Sequence, residues 1–357
     1  FGLLTHPTIP VLSSVLALAE ILNASGEDVI TAFYVGTEIE CRLADALNPK
    51  HYLQGFHSSG TIGTLGASVG AAKLLQLDLK RVKYTLGVAA SMASGLRENF
   101  GTMTKSLHVG RAAECGITAA QLVSAGYTAA VDILEAPRGF FNAMADGFDQ
   151  NKILDRLGNP YFYIDPGVAL KPYPCGSLIH PAMDLTLDLV EQHNIQYDDV
   201  SEILVGTTAP VLNALLHNSP TNGLEAKFSI PFCIASMCVF KKAGLEEFED
   251  DSVNSPIIQS FMKKVKPYHD VDLEKQGLDR MRAKIIISLK NGQKLIGNND
   301  VARGHPEKPF DSLDVIKKFR SCANNLTSPD FIEKSVEMIL RLELVSDITE
   351  LTCLLKS

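Results

Sequence analysis

The chain has 357 residues, 46% hydrophobic and 21% charged, with a formal charge of -8 at pH 7. That is enough apolar material for a large core and, by length, for two domains. The acidic balance, with no basic run, argues against nucleic acid as a partner, and no stretch of eighteen apolar residues offers a membrane span. Seven scattered cysteines, never in a Cys-x-x-Cys pair, point to reduced thiols and a cytoplasmic setting. No secretory leader is visible, and the chain starts on Phe1 inside a motif, so an N-terminal portion is expected to precede it.

In chain order, residues 1–7 read as a loop, and Pro7 and Pro10 lead into a helix to about Leu22. Ser25-Gly26-Glu27-Asp28 is a capped helix start, followed by apolar residues at helical spacing to Leu47. A loop over 49–59 holds His51 and His57. Gly60, Gly63, Gly66 and Gly70 then lie three or four apart. No strand precedes them and no Lys-Ser/Thr follows, so this is not a phosphate loop. It predicts a helix with a flat side that another helix can approach closely. Asp78 caps a further helix to about Gly95, and a small-residue helix is predicted from Val109 to Ala125, closed by Gly126. Residues 128–134 and 138–145 look like short helices.

Near Asn159-Pro160 the character changes. Prolines 166, 172 and 174 break the chain, His180-Pro181 starts a helix to about Gln192, and 203–207 reads as a strand. Asn291-Gly292 between the extended runs 283–289 and 293–297 is a strong hairpin signal. Helical patterns over 312–323 and 329–342 close the chain. The expected fold class is mainly α with a smaller α+β domain: a helical domain over 1–158, an α+β domain over 159–310, and C-terminal helices over 311–357 that return to the helical domain.

The stretch from Arg97 to Arg111 stands out as neither amphipathic helix nor alternating strand. Lys105, His108 and Arg111 fall within seven positions, with Glu98 the only acid. If Val109 opens the next helix, its free N–H groups add positive potential beside Lys105. Such a cluster suits carboxylates; the alternative is a solvated charged loop.

Taken together, several motifs resemble the MmgE/PrpD family. They are Gly55-Phe56-His57 with Gly60-Thr61-Ile62-Gly63, Phe100-Gly101-Thr102-Met103-Thr104-Lys105 with Leu107-His108-Val109-Gly110-Arg111, Lys171-Pro172-Tyr173-Pro174-Cys175 with His180-Pro181, and Glu225-Ala226-Lys227-Phe228-Ser229. The resemblance spans the chain in order. It implies a large helical domain with a smaller α+β lid, a homodimer, and catalysis without metal or other cofactor. Its members include 2-methylcitrate dehydratase, cis-aconitate decarboxylase and iminodisuccinate epimerase, so the implied ligand is a small di- or tricarboxylate.

Carried over residue by residue, the resemblance implies His57, Lys105 and His180 as catalytic residues and His6 as a binding or proton-relay partner; His108 and Arg111, beside Lys105 in the cationic stretch, read as substrate-binding, with capping or orienting the loop as the alternative. Lys105 would stabilise developing negative charge, and His57 and His180 would transfer protons near their ordinary pKa. A structural role is the alternative for each: a satisfied core histidine, or an ion-pair partner for Lys105. Where the decarboxylase branch often has tyrosine, this chain has Phe232, and the family's Asp-rich turn before Phe1 is not in this sequence. Cys175 reads as a packed small residue, with no base partner visible. No His-x-x-x-His or Cys-x-x-Cys spacing pre-assembles a metal site. The expected function is a lyase, dehydration ahead of decarboxylation, with a dicarboxylate epimerase and a non-catalytic carboxylate binder as alternatives.

Overall fold

The computed structural model describes residues 3–277 and 280–355; Phe1 and Gly2 of the expected leading loop lie outside them. The chain divides into two compact units, one formed by Leu3–Gly167 with Phe319–Ser357 and the other by Val168–Lys318.

The first unit is helical. Helix α1 spans Thr8–Leu22 and α2 spans Gly26–Leu47. The start of α2 is a reciprocal capping box, in which the Ser25 hydroxyl accepts from the Asp28 N–H and the Asp28 carboxylate accepts from the Ser25 N–H. Helix α3 covers Ser58–Leu74 and is buried along 58–72, because its glycines remove the bulk that would hold neighbours away. A Cβ on Gly66 would lie 2.9 Å from the Gly36 carbonyl of α2, and one on Gly36 2.7 Å from the Gly66 carbonyl. The flat side expected from sequence is therefore the α2–α3 contact. Helix α4 runs over Leu79–Met92, capped by Asp78, and α5 over Met103–Ser124. Leu43, Leu47, Ile62, Leu65, Phe140 and Phe141 form one core of this unit.

A buried ion pair fastens the end of this unit. Arg42 Nε donates to Glu38 Oε1 at 2.7 Å and Nη2 to the Pro160 carbonyl at 2.5 Å. Glu38 also accepts from the backbone N–H groups of Gly158 and Phe162.

In the second unit α6 spans His180–Gln192, β1 Val200–Thr207 and α7 Ile230–Val239. The strands β2 Val265–His269, β3 Ala283–Leu289 and β4 Lys294–Asn299 complete a sheet of order β2-β1-β3-β4. The β1–β2 pair is parallel, with Val205 opposite Pro267, and the other pairs are antiparallel. The hairpin turns at Asn291-Gly292, where Gly292 has φ +89°. Met183, Ile203, Phe232, Ile285 and Ile287 belong to one core. The unit boundary falls within α8, Ser312–Ala323. Helix α9, Pro329–Ile339, follows in the helical unit.

Three local expectations change. The helix expected to open at Val109 opens six residues earlier, at Met103, because the Thr102 hydroxyl accepts from the Thr104 N–H and caps it. Residues 128–134 form a loop that enters a turn at 131 instead of a helix, and the helix expected over 138–145 is confined to Phe140–Ala145. Strand β2 goes unread in the sequence because Pro267 breaks its pattern. The sheet tolerates that proline because β2 is an edge strand and a missing N–H there removes no interior ladder bond.

Candidate active site

In the helical unit, the histidines and Lys105 gather around the N-terminal ends of α3 and α5. His57 is the N-cap residue of α3, and its N–H donates to the Gly95 carbonyl at 3.0 Å. The Arg97 N–H donates to the Gly55 carbonyl at 2.9 Å, which ties the connection between α4 and α5 to the loop before α3. His57 Nδ1 lies 3.1 Å from His108 Nδ1, so one of the two nitrogens carries the shared hydrogen. Phe100 stands edge-on to His57 with ring centroids 5.1 Å apart, and the Lys105 ammonium lies 5.3 Å from the centre of the same ring. His6 reaches α3 as well, with its N–H donating to Ser59 Oγ at 2.9 Å and Nδ1 3.0 Å from that oxygen.

The charge pattern runs against ordinary helix design. Neither α3 nor α5 has an acidic residue in its first turn, and Lys105 occupies the first turn of α5, where the helix dipole disfavours a cation. A locally unfavourable choice of this kind is expected where a ligand anion completes the site.

The electrostatics revise the role expected for His57. Burial, reinforced by the charges of Lys105, His108 and Arg97, lowers its pKa to about 3. It is therefore a neutral imidazole near pH 7, and a hydrogen-bonding group before it is an acid. Its Nε2 is buried with no partner among the described residues. If His108 donates to His57 Nδ1, Nε2 carries a hydrogen ready for a carboxylate. Burial and Lys105 lower His108 as well.

The same shift makes stability depend on pH. The unfolded chain takes up a proton at His57 near its ordinary 6.5 whereas the folded chain resists to about 3. Stability from this group is thus complete above pH 6.5 and is lost as pH falls toward 3, by up to about 1.4 kcal/mol per pH unit. Denaturant titrations should show His57→Asn with a flatter acid limb than the parent; identical limbs would mean that His57 is solvated.

Arg111 stands apart, half-exposed and paired with Glu114 at 2.6 Å. Arg97, within the stretch singled out from sequence but given no role there, is part of the site's charge. Its guanidinium stacks on Tyr52 at 3.6 Å, Nη1 donates to the Tyr52 carbonyl, and Nε is buried with no partner among the described residues. His51, by contrast, is a satisfied core histidine between the Met144 carbonyl and Thr61.

The α+β unit carries its own cleft of about 60 Å³, lined by the basic side chains of Lys171, Arg280 and Arg303, by His180 and His305, and by one acid, Asp300. His180, the first residue of α6, is buried with Nε2 unpartnered among the described residues, and its ring meets Tyr173 edge-on. Arg303 is held in place by Asp184 and Tyr173. Its Nε donates to Asp184 Oδ1 at 3.1 Å and its Nη2 to the Tyr173 hydroxyl at 2.7 Å. Burial lowers the pKa of Lys171, whose Nζ donates to the Cys175 carbonyl. Neither Lys171, though it opens one of the motifs, nor Arg303 is given a role from sequence, since each lies in a Pro- or Gly-bearing loop without periodic pattern. Cys175 is packed against Met183, as expected, with Sγ–Sδ 3.6 Å. It does have titratable neighbours that the sequence hides. Burial opposes its thiolate, while Cys233, His180 and Lys171 pull the thiol below its ordinary value. Phe232 lies in the core, 5.0 Å from Phe248 ring to ring.

Among the described residues no three His, Cys, Asp or Glu side chains are grouped to hold a metal ion, and no helix is long and apolar enough to cross a membrane.

These features define a mainly helical protein with a buried histidine pair beside Lys105 in its helical unit and a cleft lined by basic side chains and histidines in its α+β unit. Residues 3–152 match the MmgE/PrpD N-terminal domain and residues 173–344 the MmgE/PrpD C-terminal domain, and the chain belongs to this family. It is similar to the cis-aconitate decarboxylase of Mus musculus, with 29% identity over 364 residues, covering 99% of this chain and 74% of that protein. The Homo sapiens cis-aconitate decarboxylase is 28% identical over 363 residues with the same coverage. That of Aspergillus terreus is 24% identical over 374 residues, 98% of this chain and 76% of its own length.

Proposed function

We propose that this protein is a lyase that releases CO₂ from a small unsaturated tricarboxylate of the cis-aconitate type, without metal or organic cofactor. On sequence alone dehydration stands ahead of decarboxylation; the relatives, each named a cis-aconitate decarboxylase, favour the opposite order. The observation that carries the reading is the neutral, buried His57 with Lys105 and His108 around it, at two helix starts that lack acidic residues.

Loss of CO₂ from a carboxylate leaves its electron pair on the carbon skeleton, and one proton must be added to complete the product. The reaction therefore needs fixed positive charge, a dry setting and a proton donor. Lys105 supplies charge beside the developing carbanion, with Arg97 behind it. His57 Nε2 donates a hydrogen bond to a substrate carboxylate, and His108 holds the His57 ring. His6 delivers the proton. The cleft of the α+β unit, with His180, Lys171 and Arg303, is by itself suited to a carboxylate.

The test is to supply cis-aconitate, 2-methylcitrate and iminodisuccinate to the purified full-length protein in deuterated water, before and after exhaustive chelation. Expected are CO₂ release from cis-aconitate, one solvent deuterium on carbon in the product, and the same rate after chelation. Water loss from 2-methylcitrate without CO₂ release would replace the reading by a dehydratase, and exchange with inversion of iminodisuccinate by an epimerase. Binding without turnover of any of the three would make the protein a carboxylate binder.

A further inference from the structure

One buried acid of the helical unit lies outside the cluster around His57. Glu40, in the middle of α2, is fully buried, with Oε1 2.6 Å from Thr5 Oγ1 and Oε2 unpartnered among the described residues. Thr5 Oγ1 lies 3.4 Å from Ser59 Oγ, which lies 3.0 Å from His6 Nδ1 and accepts from the His6 N–H. The four side chains make a continuous file from the interior to the His6 ring.

We propose that Glu40, Thr5 and Ser59 form a proton relay that supplies a proton to His6 Nδ1 as its Nε2 gives one up. This inference rests on the decarboxylase reading, in which His6 supplies the proton.

The hydrogen-bonding capacities favour it. With Glu40 protonated, its O–H donates to Thr5 Oγ1, Thr5 donates to Ser59 Oγ, and Ser59 donates to His6 Nδ1. Ser59 then accepts two hydrogen bonds and donates one, so its capacity is filled, and His6 is left with its hydrogen on Nε2. When His6 Nε2–H protonates the carbanion, a C–H bond forms with the carbanion's electron pair. A hydrogen then moves along each link, from Ser59 to Nδ1, from Thr5 to Ser59 and from Glu40 to Thr5. The Glu40 O–H bond breaks and a carboxylate remains, and every link now points the other way, still satisfied. Return of a proton from water through His6 restores the start.

The surroundings suit a stored proton. Facing Glu40 from α3 are Gly63 and Gly66, which bring no charge. From the N-terminal loop come Thr5 and His6, and from α3 also Ser59. On its own helix, Glu38 and Arg42 pair with each other, and burial pushes the Cys41 thiol far up. Burial raises Glu40 to about 8, against which the Thr5 hydrogen bond acts only partly.

Glu40→Gln keeps the shape and removes the transferable proton; Thr5→Val breaks the file and Thr5→Ser preserves it. Relay action predicts that Glu40→Gln and Thr5→Val lower kcat for CO₂ release about 10²-fold, at the low end for proton-transfer catalysis. KM should stay unchanged and Thr5→Ser should keep the parent rate. The unliganded proteins give an independent reading. An unfolded Glu40 ionises near 4.5 and a folded one near 8, so the parent should lose denaturant resistance relative to Glu40→Gln as pH rises between those values. Parallel pH profiles would show an ordinary carboxylate and overturn the relay alone. A diverging profile with unaltered kcat would leave a merely structural acid and also overturn it. A parent inactive on all three acids would overturn the decarboxylase reading together with the relay's part in it.

Discussion

Replacing Lys105 by methionine is expected to lower kcat by ~10²–10³-fold, about 3–4 kcal/mol of lost stabilisation, the usual effect of removing one preorganised charge-stabilising donor. Methionine keeps the length of the stem, and its contact with the Phe100 ring can persist. The fold should not suffer. Lys105 lies in the first turn of α5, where the dipole opposes its charge, so stability should stay within about 1 kcal/mol of the parent, on the favourable side. A second reading comes from His57, whose low pKa depends in part on the Lys105 charge. NMR titration should place His57 higher in Lys105→Met than in the parent. A variant that unfolds readily would make Lys105 a structural partner, and one that folds and turns over normally would remove it from the site.

Replacing Arg42 by methionine is expected to destabilise the fold severely, by about 3–5 kcal/mol. Glu38 would keep the N–H groups of Gly158 and Phe162 but lose the Nε donor at 2.7 Å, leaving its charge buried without a counter-ion. The Pro160 carbonyl would lose its donor too, and Phe162 the guanidinium 5.1 Å from its ring centre. Adding Glu38→Gln should recover part of the loss, because a neutral amide no longer needs the cation. Urea unfolding of the two single variants and the double variant measures this coupling. A cost below about 1 kcal/mol for Arg42→Met would mean that solvent reaches Glu38.

The two variants separate the proposed chemistry from architecture: Lys105 is proposed to bring charge to a ligand, whereas Arg42 ties Glu38 to the Pro160 carbonyl.

What the sequence determined by itself follows from local, short-range physics. Capping residues at Ser25 and Asp78, the glycine spacing of α3, the Asn291-Gly292 turn and the helices after Ser312 and Ser328 could all be read, because each is decided within a few residues. The motifs around His57, Lys105 and His180 were legible for the same reason, as contiguous strings. Tertiary structure decided the rest. Whether Thr102 would cap a helix carrying a cation in its first turn was not settled by propensity, which disfavours that cation. Strand β2 depended on its place at the sheet edge, which lets Pro267 be tolerated. Arg111 and His108 are three residues apart in one helix, yet one pairs with Glu114 at the surface and the other meets His57. Glu40 gave no signal, because a glutamate in a helix is ordinarily solvated. Only burial against glycines, with Thr5 and Ser59 brought from distant parts of the chain, makes it an acid that holds its proton. Local strings can name residue types and helix ends; desolvation and the approach of distant groups set charge states, and those exist only once the chain has folded.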